Sequence, residues 1–331
     1  MIIYRKKLND LKSYTYHEKN INGKLINDKT TLAYLQSLVI PPAYNDVIIF
    51  YEKSPKILFQ GYDVKGRLQQ IYSPKWRAQA DKEKFKALID FGKKLPVMTS
   101  IMMNNIKSQK ITKDKLISMI LYITILCGFR IGSMKYQKLY GSVGLITLQP
   151  RHIKIKDGEK NGANKTHIDF IGKKGVKNSC VITDEFLIHE IKKLISGKSP
   201  KDYLFTYVLD EQINNVTQIT AIDINNWLKS FNPDFTSKFF RNYSVNTKFI
   251  EIMQSATNPI KLTLQQRKKM VVEVIKELSC SINNTPTICK KSYLDPNLVK
   301  MYLEHPKKYM TIMDSNIDYS KKYIKFLELI H

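Results

Sequence analysis

The chain has 331 residues, 43% of them hydrophobic, which is enough apolar material for a sizeable core and about two domains. Its 54 lysines and arginines exceed its 29 acidic residues by 25, and such an excess is typical of proteins that bind nucleic acid or another polyanion. The most apolar stretch, residues 116–129, is too short to span a bilayer, and no long apolar run follows Met1. Neither a membrane protein nor a secretory signal peptide is therefore expected.

The first 75 or so residues are predicted to form a small, mostly β module. Stretches rich in β-branched and aromatic residues favour three strands, over 46–51, 56–62 and 67–72. The residues Asp63-Val64-Lys65-Gly66 are typical of a hairpin turn between the last two strands. A helix over 30–38 is also predicted, ended by the Pro41-Pro42 pair.

Residues 77–84 are polar and charged and are predicted to link a first domain, residues 1–76, to a second domain, residues 85–331. The second domain is predicted to be mainly helical, because its apolar residues recur with the helical period. Its predicted helices cover 114–129, 184–195, 221–231, 239–253 and 263–278, with two or more after Pro296.

Short strands interrupt this helical domain, and the fold class predicted for the whole chain is α+β. The predicted strands cover 144–148, 153–156, 167–171 and 176–182. Gly172 and Gly175 enclose Lys173 and Lys174, which favours a tight turn with both lysines at an exposed tip.

Metals, nucleotide cofactors and disulfides are not expected. The four cysteines form no CxxC pair, and none of the six histidines is spaced from a cysteine as metal ligands are. Residues 61–68 superficially resemble a phosphate-binding loop, but they lack its Lys-Ser/Thr pair and fall within the predicted hairpin. Acidic residues are scattered rather than clustered as a two-metal nuclease requires. We expect an intracellular protein with reduced thiols, no metal and no small-molecule cofactor.

Several basic residues and a tyrosine occur in an order that suits phosphodiester cleavage without metal. Such a reaction needs permanent positive charge on the phosphate oxygens, which arginines supply, and a proton for the leaving oxygen, which a lysine can give. A tyrosine hydroxyl can attack the phosphorus and conserve the bond energy in a covalent link. The candidate residues, in chain order, are Arg130, Lys173, Lys238, Arg241 and Tyr293.

The motifs around these residues resemble the poxvirus-type (viral) type IB DNA topoisomerases. The matching stretches run over residues 128–136, 143–148, 152–153, 170–173 and 241–246, and over Asn284-Thr285-Pro286 up to Tyr293. Residues 63–67, Gln69 and Tyr72 also match. The resemblance covers roughly residues 30 to 310.

The resemblance implies a role for each matched residue. Tyr293 is the nucleophile, which forms a 3′-phosphotyrosine intermediate; Arg130 and Arg241 hold the scissile phosphate; Lys173 and Lys238 protonate the leaving 5′ oxygen. The family has a histidine where this chain has Asn284, so this residue either donates one neutral hydrogen bond or leaves the site weakened. The family often has an acidic residue at the position of Lys174.

The resemblance also implies a C-shaped clamp on duplex DNA, with a small β-rich DNA-binding domain and a larger, mainly helical catalytic domain. Gln69, Tyr72, Lys135 and Tyr136 match family positions that touch bases or backbone, although packing within the sheet or helix explains the two tyrosines equally well. The implied protein is a monomer in the virion and host-cell cytoplasm, which relaxes supercoils and reseals DNA without ATP.

Two other functions are compatible with parts of this pattern. A tyrosine recombinase or integrase uses the same two arginines, lysine and tyrosine, but usually has a histidine where this chain has Lys238. A basic DNA-packaging protein without catalysis would account for the charge alone. Relaxation of supercoils by a monomer, and formation of a covalent DNA adduct, distinguish these possibilities from a topoisomerase.

Overall fold

A computed structural model describes residues 1–8, 13–52, 55–156, 164–210, 215–313 and 316–331. The chain divides into two compact units, Met1–Lys84 and Phe85–His331. Among the described residues, no helix is both long and apolar enough to cross a membrane.

The first unit is built on a five-stranded antiparallel sheet. Its strands are β1 (Ile2–Lys7), β2 (Tyr14–Glu18), β3 (Asn45–Phe50), β4 (Ile57–Tyr62) and β5 (Leu68–Tyr72), in the spatial order β2-β1-β3-β4-β5. The three predicted strands are confirmed as β3, β4 and β5, whereas β1 and β2 were not predicted. Alternate residues of β1, β3 and β4, among them Ile3, Ile49 and Phe59, are buried with Leu35 of helix α1 (Lys29–Ser37).

Helix α2 spans Pro74–Ile106 and includes residues 77–84, which the sequence assigned to the linker. The helices after α2 are α3 (Lys113–Cys127), α4 (Met134–Tyr140), α5 (Glu185–Ile195), α6 (Ala221–Lys229), α7 (Lys238–Ser255), α8 (Leu264–Ser281), α9 (Pro286–Ser292), α10 (Pro296–Glu304), α11 (Pro306–Met313) and α12 (Tyr319–Ile330). The five helices predicted within the second domain and those after Pro296 are confirmed, whereas α4 and α9 were not predicted.

The described part of the second unit holds two small antiparallel sheets. The first contains β6 (Ile153–Lys156), β7 (Lys165–Ile171) and β8 (Lys177–Ile182), and the second pairs β9 (Thr206–Asp210) with β10 (Asn215–Gln218). The strand predicted over 144–148 is wrong, because Leu145–Thr147 form a short 3-10 turn. The main-chain N–H groups of Leu145 and Ile146 donate to residues 130 and 131, so this apolar run is buried without joining a sheet.

A disulfide corrects the expectation of reduced thiols. Cys127, the last residue of α3, is bonded to Cys180 of β8, with their Cα atoms 5.6 Å apart. The two cysteines are separated by 53 positions, so their spacing carries no sign of the contact, which arises only when the helix packs on the sheet. Cys280 and Cys289 are thiols.

Candidate active site

Arg130 follows the buried helix α3 at a point where the backbone is tightly constrained. Gly128 ends the helix with a φ of +62°, a conformation that favours glycine. Gly132 and Gly144 bring two stretches of main chain into contact, since a Cβ on Gly144 would lie 2.4 Å from the Cα of Gly132. This approach allows the N–H of Leu145 to donate to the Arg130 carbonyl at 3.0 Å. The backbone of Arg130 is therefore held by the end of α3, which precedes it, and by the neighbouring main chain at residues 144–145.

Lys173 begins the turn between β7 and β8, at the exposed position predicted from the sequence. Lys174 and Gly175 complete the turn with φ values of +63° and +74°. At the base of the turn, the N–H of Val143 donates to the carbonyl of Ile171 at 3.0 Å. Residues 143–145 therefore bond to the main chain at two places. Leu145 bonds to Arg130, and Val143 bonds to the end of β7, the strand that leads to Lys173.

The electrostatic environment of Lys173 shows which side chains surround it. Partial burial, and then the charge of Arg130, lower the pKa of Lys173. Tyr293 acts in the opposite direction, while the charges of Lys174 and Lys238 lower the pKa further. Arg130, Lys238 and Tyr293, which are far apart in the sequence, therefore all influence the pKa of Lys173. The charge of the neighbouring Lys174 makes Lys173 easier to deprotonate.

Arg241 lies in the first turn of α7, the helix that begins at Lys238, and only 4% of its surface is exposed. Burial lowers the pKa of Arg241 to about 10, with an opposing effect of Tyr293 and a further lowering by Arg130. Its Nη2 donates to the carbonyl of Ile282. Its Nε is also buried, and no hydrogen-bond partner for it occurs among the described residues.

Tyr293 comes directly after α9, and the guanidinium carbon of Arg241 lies 4.9 Å from the centre of its ring. The fully buried Asn246 of α7 donates from Nδ2 to the Tyr293 carbonyl at 2.9 Å and accepts the N–H of Asp295 at 2.8 Å. Helix α7 therefore carries both the guanidinium over the ring and the amide that holds the tyrosine backbone.

Asn284 lies between α8 and α9, where its main-chain N–H donates to the carbonyl of Ser279 at 2.9 Å. Its Nδ2 is buried, and within the described chain no acceptor reaches it. Buried donors without acceptors are costly, and Arg241 Nε is a second one. An oxygen atom of a ligand such as a phosphate is the kind of acceptor that each of these two donors lacks.

The four residues matched to DNA contacts lie in different units: Gln69 and Tyr72 on β5, and Lys135 and Tyr136 on α4. The Gln69 amide donates to the Asp63 carboxylate at 3.0 Å, which orients this side chain. The Tyr72 ring stacks on the indole of Trp76 at 4.5 Å. Tyr136 is 56% exposed and Lys135 is exposed, so neither belongs to the core.

Sequence reasoning missed the roles of Asn246 and of Val143. Asn246 ends the matched stretch 241–246, so the motif itself contained a signal for it. Val143 begins the matched stretch 143–148, but the strand predicted over 144–148 gave no indication that its N–H bonds to Ile171.

Two family models match the chain. The model for the eukaryotic DNA topoisomerase I catalytic core matches residues 73–318, and the model for the bacterial DNA topoisomerase IB N-terminal domain matches residues 13–63. The first match covers well over half of the chain. The chain therefore belongs to the type IB DNA topoisomerases.

Viral relatives support the same assignment. The DNA topoisomerase 1B of Acanthamoeba polyphaga mimivirus is 29% identical, over 98% of this chain and 94% of its own length. The DNA topoisomerase 1B of vaccinia virus (strain Copenhagen) is 23% identical over 86% of each chain. The DNA topoisomerase 1 of rabbit fibroma virus is 26% identical over 93% of this chain and 95% of its own. The protein is thus a DNA topoisomerase of the viral type IB kind, an isomerase that acts on DNA.

Proposed function

We propose that this topoisomerase cuts one strand of duplex DNA with Tyr293, lets supercoils relax and reseals the strand, without ATP or a catalytic metal. The observation that carries the proposal is the buried guanidinium of Arg241, 4.9 Å from the Tyr293 ring, with a buried Nε that lacks a partner among the described residues. A scissile phosphate beside Tyr293 would supply the acceptor.

In the proposed cleavage step, the Tyr293 oxygen forms a bond to the phosphorus and the bond from phosphorus to the 5′ oxygen breaks. The phenol gives up its proton, and the leaving oxygen gains one. Arg130 and Arg241 stabilise the charge on the non-bridging oxygens, because a guanidinium matches two phosphate oxygens. The product is a 3′-phosphotyrosine, whose bond energy drives resealing when the 5′ hydroxyl attacks in the reverse direction.

Lys173 and Lys238 are the proposed proton donors. Partial burial and the charge of Arg130 lower the pKa of Lys173, and an acid with a lowered pKa gives up its proton more readily to the leaving oxygen. Lys238 contributes to the same lowering, which puts its charge near Lys173. Asn284 is proposed to donate a neutral hydrogen bond from its buried Nδ2 to a phosphate oxygen.

DNA binding is proposed to use both units, with residues 1–76 as a DNA-binding domain and 85–331 as the catalytic domain. Gln69 and Tyr72 would contact DNA from the first, and the exposed Lys135 and Tyr136 from the second. The formal charge of +25 supports tight binding of a polyanion, and we propose that the protein acts as a monomer.

The proposal is tested by incubating the protein with negatively supercoiled plasmid in EDTA, without ATP, followed by a denaturing gel. We expect relaxed plasmid and a covalent protein–DNA adduct. Tyr293→Phe keeps the ring and should bind DNA normally while forming no adduct. An adduct in that variant, or an absolute requirement for ATP or a divalent ion, would contradict the mechanism.

A further inference from the structure

Residues 281–284 contact most of the segments that carry the proposed catalytic groups. A Cβ on Gly128 would lie 2.4 Å from the Ser281 carbonyl oxygen, so this turn packs against the end of α3. The Ile282 carbonyl accepts a hydrogen bond from Arg241. Asn284 itself presents the buried Nδ2. The remaining residue, Asn283, has no role in the mechanism described so far.

The side chain of Asn283 bridges two of these segments. Its Nδ2 donates to the carbonyl of Cys127 at 3.3 Å, and its Oδ1 accepts the N–H of Ser179 at 3.3 Å. Cys127 ends α3 three residues before Arg130, and Ser179 belongs to β8 in the hairpin that carries Lys173. The bridge therefore connects the backbone that leads to one proposed catalytic residue with the hairpin that presents another.

The backbone of Asn283 is itself unusual, with a φ of +48°. Side chains other than asparagine and aspartate rarely occupy this left-handed region, where only glycine is free of steric cost. Glycine would satisfy the backbone but would remove the bridge. This makes the contribution of the side chain separable from that of the turn.

We propose that Asn283 is a positioning residue, which holds the β7–β8 hairpin against the end of α3 so that Lys173 is aligned with the phosphate bound by Arg130. This inference rests on the proposed function, because it assumes that Lys173 is the proton donor. The disulfide between Cys127 and Cys180 joins the same two elements covalently. The loss of Asn283 should accordingly be felt most strongly after reduction of the disulfide.

The test is Asn283→Gly, which fits the positive φ without strain. Single-turnover cleavage is measured with reduced protein at saturating concentration, well below the melting temperature. One substrate is ordinary DNA and the other has sulfur as the leaving 5′ atom, which departs without a proton. We expect cleavage of ordinary DNA to slow by roughly 10- to 100-fold, as small misplacements of catalytic groups do. DNA affinity should be unchanged, and the defect should be clearly smaller on the sulfur substrate.

Two outcomes would overturn the proposal: a parental rate in Asn283→Gly, or an equal slowing on both substrates, since a purely structural role would not distinguish the leaving atoms. Absence of any adduct with the parent protein would instead contradict the proposed function.

Asn258→Gly is the matched control, because Asn258 caps a turn after α7, and its rate should be parental.

Discussion

The two sides of the candidate site are held in different ways. On one side, Arg241 and the backbone of Tyr293 are fixed by helix α7, and Arg241 is only 4% exposed. On the other side, Lys173 lies on an exposed turn, and its strand is joined to the end of α3 through side-chain and main-chain contacts. An arginine with a pKa of about 10 remains charged at neutral pH in spite of burial, whereas a lysine is readily tuned. The buried side suits a permanent charge and the exposed side suits proton transfer.

Replacing Arg241 should cause the largest loss of cleavage. Arg241→Ala removes a buried donor to the proposed phosphate, and losing one such donor costs about 10²- to 10³-fold in rate. Arg241→Lys should not restore the rate, because an ammonium cannot present two parallel donors. Single-turnover cleavage measures the effect, with thermal unfolding as a control for stability. A rate within a few-fold of the parent for Arg241→Ala would show that Arg241 does not contact the phosphate, and such a rate for Arg241→Lys would show that two parallel donors are not required.

Lys173→Ala should slow cleavage by about 10²-fold, the lower end of the range for a general acid, because Lys238 remains as a second donor. The sulfur-leaving substrate should largely restore the rate. Lys177→Ala, on the exposed face of β8 in the same hairpin, is the matched control and should cleave like the parent. An equal defect on both substrates would make Lys173 a phosphate contact rather than an acid.

The dependence of the parent protein's cleavage rate on pH gives a second test of Lys173, which lies on the exposed side of the site. Lys173 donates a proton only when it is protonated, so the cleavage rate should fall as pH rises through its pKa. Because burial and Arg130 lower this pKa, the fall should begin at a lower pH than for an ordinary lysine. Lys174→Gly fits the positive φ, removes one neighbouring charge and should move the fall to higher pH. If Lys174→Gly has the same pH profile as the parent, the charge of Lys174 does not lower the pKa of Lys173.

Asn284→Ala should have a smaller effect, about tenfold or less, because a neutral donor contributes less than a charged one. Asn284→His should be active and should cleave faster as pH falls below about 6.5, where the imidazole becomes a cation. Cleavage rates of the three proteins across pH decide the question. If Asn284→Ala cleaves as fast as the parent, the buried amide does not contact the phosphate.

Of these changes, reduction of the disulfide should have the smallest effect on the cleavage rate and the largest effect on the free energy of unfolding. A disulfide that closes a loop of 53 residues typically contributes about 2–4 kcal/mol, so reduced protein should unfold at a lower temperature. Cys280→Ser, at an exposed thiol, is the control and should not change the melting temperature. Equal melting temperatures with and without reductant would show that the bond is not formed in solution.

The sequence was sufficient to predict those helices, strands and turns whose residue pattern is local. Strands β3 to β5 followed from their β-branched and aromatic residues, helices α3 and α5 to α8 followed from the helical period, and the Lys173 turn followed from its two glycines. The short strands β1 and β2 were missed because their polar and charged residues obscure a pattern that depends on β1 pairing with both β2 and β3.

Long-range contacts were beyond sequence reasoning. The apolar run 144–148 has strand composition, yet its hydrogen bonds go to residues 130 and 131. The pairing of Cys127 with Cys180 and the bridge made by Asn283 both need the fold to bring α3 onto β8. The order of arginines, lysines and tyrosine identified the candidate catalytic side chains, but not the amides that hold them.

The contact between Gly132 and Gly144 also limits how this protein can be altered. A Cβ at either position would lie within 2.8 Å of the Cα of the other, and Gly132 has a φ of +85° as well. Neither partner can shrink to make room for the other, so no second substitution at the pair can compensate for the first. Substitutions are therefore tolerated more readily on α4, which has no buried residues, than at the two glycines on either side of it.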